Sequence, residues 1–153
     1  MARISDLVET LLKQMIEQNG GRIEITRSEL AVRVNCVPSQ ITYVLATRFT
    51  NDQGFLVESR RGGGGWIRIH RVQLDGKAAY LMHALNAIGD TLSQHQAEIL
   101  IRNFLEYDVV DDREGLLIRS AISDHSLIEI EADRKDHIRM AIFKNMLISL
   151  IVD

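Results

Sequence analysis

Apolar positions recur at intervals of three and four from the start of the chain: Leu7, Val8, Leu11, Leu12, Met15 and Ile16. That spacing lays one apolar stripe along an amphipathic helix. Ser5 is its expected N-cap and Asn19-Gly20-Gly21 its stop. Arg22-Ile23-Glu24-Ile25 then alternates as a short strand does, and Thr26-Arg27-Ser28-Glu29 spells a capping box. Leu30, Ala31 and Val34 form the inner face of a second helix, and Asn35-Cys36-Val37 is a tight connector. Pro38 suits the first turn of a third helix, where its missing N–H is no loss. At about 100° per residue, Ile41, Val44, Leu45 and the stem of Arg48 share one side of that helix. Ser39, Gln40, Thr42, Tyr43 and Thr47 occupy the other.

Asn51-Asp52-Gln53-Gly54 is a turn cluster. Phe55 to Arg60 and Trp66 to Val72 pair as a hairpin closed by Gly62, Gly63, Gly64 and Gly65. The order is helix, short strand, helix, turn, helix, two-stranded hairpin. It predicts a winged helix-turn-helix over residues 1–72, whose second helix of the pair would enter a major groove. Gln73-Leu74-Asp75-Gly76 is the expected linker.

Beyond the linker the period is helical throughout. One helix carries Ala79, Leu81, Met82, Leu85 and Ile88 and ends at Gly89. Ser93-Gln94-His95-Gln96 caps a second, with Ile99, Leu100, Phe104 and Leu105 on its face. Asp112-Arg113-Glu114 opens a third, with Leu117, Ile118, Ala121 and Ile122. Asp133 caps the last, with Ile138, Ala141, Ile142, Leu147, Leu150 and Ile151. The expected fold class is mainly α with a small β-hairpin wing, with a four-helix bundle over residues 77–153. A core of that size is marginal alone, so pairing with a second copy is expected to bury the remaining apolar surface.

Composition narrows the class. Apolar residues at 46% and charged residues at 25% are ordinary globular values and argue against disorder. No apolar stretch approaches the ~20 residues that span a bilayer, and the N-terminus lacks a signal-peptide pattern. One cysteine, Cys36, excludes an internal disulfide, and zinc-ligand spacing is absent, so a reducing cytoplasm is expected. The net charge of −3 hides an asymmetry. Residues 22–71 hold 8 arginines against 4 acids, whereas residues 77–153 hold 8 basic residues against 13 acidic ones. Such a split suggests a basic binding module joined to an acidic one with another task, although chance variation between halves gives the same pattern.

The candidate chemistry lies in the basic segment. The Ser, Gln, Thr and Tyr side of the third helix contains no acid and has hydrogen-bonding groups of a length to meet base edges and phosphates. Ser39, Gln40, Tyr43 and Thr47 are assigned to a DNA face; the plainer reading is a solvated helix. Arg27 and Arg48 are candidate phosphate clamps, and Arg48 could equally be an intramolecular ion-pair partner. In the wing, Arg60, Arg61 and Arg68 would supply charge while Gly62 to Gly65 enter the minor groove, whose narrow A·T-rich stretches attract arginine. Alone, the glycine run could equally be a loop tip without a partner. Glycine loses more freedom on docking than any other residue, and that penalty grows with temperature, so a wing contact could weaken on heating.

Other chemistry finds less support. The glycines are followed by Trp66 and not by Gly-Lys-Ser/Thr, which excludes a phosphate-binding P-loop. His70, His83, His95, His125 and His137 lack metal-ligand pairing and are expected at the surface or an interface; no metal and no cofactor is expected. Cys36 could sense oxidants but is more simply a small buried apolar group. Asp108, Asp111, Asp112 and Glu114 could bind a cation, although acids at a helix start ordinarily complement its dipole. No nucleophile–base–orienter set is visible, so enzymatic catalysis is not expected.

Several segments carry a resemblance. Cys36-Val37-Pro38-Ser39-Gln40-Ile41, Arg48-Phe49-Thr50, Gly54-Phe55 and Val57-Glu58-Ser59-Arg60-Arg61-Gly62-Gly63-Gly64-Gly65 resemble the CtsR family, the class III stress-gene repressors of Gram-positive bacteria. The likeness extends to Asp112-Arg113-Glu114 and to Arg139-Met140-Ala141-Ile142-Phe143-Lys144-Asn145-Met146-Leu147, and so covers essentially the whole chain. Gly115 stands where the resemblance leads one to expect alanine. The resemblance implies a homodimeric repressor of Clp protease and chaperone genes, bound to double-stranded operator DNA and released on heat stress. It also implies a protein-arginine kinase and the Clp protease machinery as partners, with Arg60 and Arg61 well placed for phosphorylation. From a different class, the alternative is a winged-helix interaction module that docks a kinase or protease adaptor without binding DNA.

Overall fold

The computed structural model describes residues 3–60, 65–73 and 75–152. It divides into two compact units, Met1–Gln73 and Leu74–Asp153. In the first, helix α1 (Ile4–Gln18) leads into strand β1 (Arg22–Thr26), then α2 (Arg27–Val34) and α3 (Pro38–Arg48). A single 3-10 turn, Asn51–Gln53, precedes the hairpin strands β2 (Phe55–Ser59) and β3 (Trp66–Arg71). All three strands form one antiparallel sheet in the order β1-β3-β2. The expected hairpin thus gains a third strand, because the alternation of Ile23 and Ile25 matches that of Ile67 and Ile69. These four isoleucines are buried against Val8, Leu12 and Ile16 of α1 and against α2 and α3.

Local rules account for most boundaries. Thr26 accepts from the Glu29 N–H at 3.1 Å, the cap expected at the start of α2. Asn35 ends α2 in the left-handed region (φ 53°), and Cys36 N–H donates to the Ala31 carbonyl at 3.0 Å, which turns the chain sharply into α3. Ser5 is not the cap of α1: the helix begins at Ile4, and Ser5 lies buried inside its first turn. Leu7, assigned to the apolar stripe, is half exposed, while Val8, Leu12 and Ile16 carry the stripe at strict i, i+4 spacing.

The second unit holds α4 (Gly76–Ala87), α5 (Gln94–Glu106), α6 (Asp112–Ala121) and α7 (Ala132–Ile151). Asp75, Ser93 and Asp111 cap the first three, the last two through complete capping boxes with Gln96 and Glu114. Asp133 does not cap α7, which starts one residue earlier with Glu131 as its unbonded cap position. The buried line of α7 is Arg139, Phe143, Leu147 and Ile151, so Ala141 faces solvent and Ile138 and Ile142 sit at the margin. Leu117 and Ile99, also expected in the core, are exposed; Ile118 is buried as expected, and Ala97 and Ile101 are buried where Ile99 is not. These helices are apolar on two sides, so periodicity alone selects either one.

Phe104 of α5 stacks on Phe143 of α7 at 6.2 Å between ring centroids, with Tyr80 edge-on to Phe104. Gly115 is buried where α6 packs on α5: a Cβ there would stand 2.9 Å from Leu105 Cδ2. Glycine in place of the expected alanine makes room for that leucine. Among the described residues no helix is long and apolar enough to cross a membrane.

Candidate nucleic-acid interface

Helix α3 is anchored by Ile41, Val44 and Leu45, all buried, which fixes its opposite face outward. Ser39, Thr42, Tyr43 and Thr47 are exposed there, with Tyr43 at 56% of its free surface. Thr47 Oγ1 donates to the Tyr43 carbonyl at 2.8 Å, which holds its rotamer and leaves the hydroxyl oxygen free to accept. Val37, 61% exposed at the N-cap position, adds an apolar side chain that the sequence reading did not single out. No acid lies in the first turn of α3, and its last turn carries Arg48.

Gln40, assigned to this face, and Arg48, a candidate phosphate clamp, both turn to partners within the protein. Gln40 is half-buried, and its Nε2 donates to Ser5 Oγ at 2.8 Å. Arg48 Nη1 lies 2.8 Å from Asp6 Oδ1 and 2.5 Å from Glu9 Oε1, so the ion-pair alternative for Arg48 is the arrangement present. The hydrogen bonds that the guanidinium donates to Glu9 and then to Asp6 push its pKa up. In return, Arg48 holds the Asp6 carboxyl below its usual range, and Lys13 and then Arg48 do the same for Glu9.

The wing root shows a similar division. Register sets Glu24, Arg68 and Glu58 side by side across β1, β3 and β2. Arg68 Nη2 is 3.2 Å from Glu24 and its Nη1 is 3.4 Å from Glu58, while its guanidinium carbon lies 4.5 Å from the Trp66 ring centroid. The Trp66 indole N–H donates to Glu24 and, ahead of Arg68, lowers that carboxyl's pKa. The charge of Arg68 is therefore compensated within the sheet. His70, expected at the surface or an interface, is instead buried within the sheet's own unit, with Nε2 2.9 Å from Glu58 Oε2.

Arg60 is exposed, and its side chain makes no hydrogen bond or ion pair with a described residue. Its main-chain N–H donates to the Trp66 carbonyl at 2.9 Å and extends the hairpin stem. Arg61, Gly62, Gly63 and Gly64 lie outside the described residues. Gly65 is described, with φ 70°, and its carbonyl accepts from Arg27. Cys36 is half-buried against the core, and burial raises its thiol pKa, which disfavours the reactive thiolate. Asp111 and Glu114 are occupied in the capping box of α6.

The unit therefore presents one polar, acid-free helix face and a hairpin stem bearing an arginine, Arg60, with no ion-pair partner among the described residues. Comparison with known proteins bears on both units. A family model described as the CtsR N-terminal HTH domain matches residues 3–73. A second, the CtsR C-terminal dimerization domain, matches residues 77–148. The chain is 41% identical over 148 residues to the transcriptional regulator CtsR of Bacillus subtilis (strain 168), covering 96% of each chain. It is 42% identical over 151 residues to that of Geobacillus stearothermophilus, covering 98% of each. The counterpart from Staphylococcus aureus (strain USA300) is 38% identical over 148 residues, covering 96% of each. A crystal structure of CtsR in complex with a 26bp DNA duplex is 40% identical, covering 97% of this chain and 98% of that one, with a TM-score of 0.46. With both units matched in order and relatives aligned over nearly their full lengths, this chain belongs to the CtsR family.

Proposed function

We propose that this chain is a homodimeric repressor of double-stranded operator DNA, with residues 1–72 as the DNA-binding domain and 77–153 as the dimerisation domain. The outer face of α3 carries the reading: Ser39, Thr42, Tyr43 and Thr47 project to solvent with no carboxylate among them. In a helix-turn-helix, a face of that chemistry fits the major groove, where hydroxyls meet phosphates and base edges and methyl groups meet thymine. Arg60, with Arg61 and Gly62 to Gly65, would follow the adjacent minor groove. Arg27, Gln40, Arg48 and Arg68 would support that surface from within the protein, through the contacts described above.

In the second unit, Leu116 and Leu117 are 60% and 68% exposed. Ile99 lines a shallow apolar hollow with Ala84, Ala87, Ile88 and Leu100. A second copy covering these groups would remove them from water.

The finer reading concerns regulation. The controlled genes would encode Clp proteases and chaperones, with repression in the cytoplasm. Release would follow heating, as the ordering penalty of the glycines grows, or phosphorylation of Arg60 or Arg61, which replaces a cation by an anion beside the DNA backbone. A protein-arginine kinase and the Clp protease machinery are the partners this regulation requires. A gel shift with the DNA upstream of the chain's own gene, at two temperatures and before and after arginine phosphorylation, tests the reading. Binding at the lower temperature, lost on heating or modification, is the expected result. A protein that leaves the duplex unshifted throughout would instead fit the adaptor-docking alternative.

A further inference from the structure

The pairing of β1 with β3 sets Thr26 opposite Trp66, so the next residues along, Arg27 and Gly65, come face to face. Arg27 is the first residue of α2, and its N–H is one of the donors a helix start leaves without an intrahelical partner. That N–H donates to the Gly65 carbonyl at 3.0 Å. The same oxygen accepts from Arg27 Nη1 at 3.4 Å. The side chain lies along the glycine: a Cβ on Gly65 would stand 3.2 Å from Nη1 and 3.5 Å from Arg27 Cδ. Gly65 has φ 70°, a conformation a side chain would strain.

One further atom marks this contact as more than incidental. Arg27 Nε is buried and has no partner among the described residues. A buried donor left unpaired is unfavourable, so the packing and the two bonds to Gly65 must offset it. A guanidinium serving as a phosphate clamp would offer its N–H groups to solvent; here one is sealed and another is directed at a main-chain carbonyl.

We infer that Arg27 is a positioning residue for the wing, holding the Gly65 carbonyl so that the hairpin leaves the helix-turn-helix in one fixed direction. The inference deepens the DNA-binding reading and rests on it. Helix α2 packs on both α3 and β1, so a wing held to its first residue moves with the recognition helix. The two elements then reach neighbouring grooves as one preorganised surface, and less freedom is lost on binding.

Two variants disturb the junction from opposite sides. Arg27→Met keeps the apolar stem and removes the guanidinium, and Gly65→Ala intrudes upon it. Arg60→Ala serves as the control for a direct phosphate contact. In the free protein, amide hydrogen exchange at Arg27, or its replacement, and at Arg60 is expected to quicken by about fivefold in both junction variants, with circular dichroism unchanged. Affinity for the upstream duplex is expected to fall about tenfold, with the slope of log affinity against log salt unaltered. Hydroxyl-radical footprints at saturating protein should keep protection both at the wing's minor groove and beside α3, since the contacts still form once the wing is ordered. If Arg27→Met instead lowers the salt slope by about one unit, as Arg60→Ala should, with exchange unchanged, Arg27 is a phosphate contact and the inference fails. Unchanged exchange and unchanged affinity would also overturn it. Failure of the parent chain to bind duplex would count against the repressor reading, and the exchange measurement alone would then decide the role of Arg27.

Discussion

The side-chain amide of Gln40 donates to the hydroxyl of Ser5 at 2.8 Å, joining the first turn of α3 to the first turn of α1. Glutamine on a recognition helix is well suited to bidentate contact with adenine, but this one already has a partner inside the protein. Ser5→Ala and Gln40→Ala should each lower stability by about 1 kcal/mol, the worth of one partly buried hydrogen bond, with little further loss in the double variant. Urea denaturation of the four proteins measures this. Duplex affinity should fall less for Gln40→Ala than for Tyr43→Ala; the reverse order would mean that Gln40 leaves Ser5 to read a base.

Arg48 links the same two helices by charge, so its effect should depend on pH. The carboxyls of Asp6 and Glu9 have lowered pKa values when folded, so the unfolded chain binds more protons as pH falls. Their stabilisation is present above the ordinary carboxylate pKa and is lost as pH falls through the lowered folded values. In Arg48→Met, the decline in melting temperature between about pH 5 and pH 3 should be shallower than in the parent. Parallel declines would show that the pairing contributes nothing to folding.

Arg139 is fully buried in the second unit and serves as its internal tie. Its Nε donates to the Ile122 carbonyl at 2.7 Å and its Nη1 to the Leu92 carbonyl at 3.1 Å, with Asp136 and Asp124 balancing the charge. Arg139→Met strands two carbonyls and should destabilise the chain by about 3–5 kcal/mol. Arg139→Lys should recover little, since an ammonium cannot reproduce the planar fork. Calorimetric melting of both variants checks the pair, and a lysine variant as stable as the parent would contradict this role.

The exposed leucines of α6 predict the association state. Leu116→Asp/Leu117→Asp should shift sedimentation from dimer toward monomer while leaving the helical content of the monomer intact, because neither side chain belongs to the folded core. An unaltered dimer would place the interface elsewhere.

How far the sequence carried depended on how one-sided each element was. α3 was legible because its apolar and polar sides differ in kind, and α2 because Thr26 and Glu29 form a recognisable start. In α5, α6 and α7 apolar residues occur on two sides, and only packing decides that Ile101 and Phe143 go inside while Ile99 and Leu117 stay out. Residue type placed Arg48, Arg68 and Gln40 in a binding site, but their partners Asp6, Glu9, Glu24, Glu58 and Ser5 come from other elements. Parity within the strands could have signalled the Glu24–Arg68–Glu58 row once the register was known. Nothing local could have signalled that Arg27 meets Gly65, since that pairing exists only after β1 joins β3.

The most direct test measures affinity for the upstream duplex over a range of salt concentrations in the parent, Arg60→Ala and Tyr43→Ala. A steep linear fall of log affinity with log salt is predicted for the parent, eased by about one unit in Arg60→Ala. Tyr43→Ala should weaken binding with at most a small change of slope. Duplex binding that is absent, or that salt leaves untouched, would contradict the assignment of α3 and the wing to DNA.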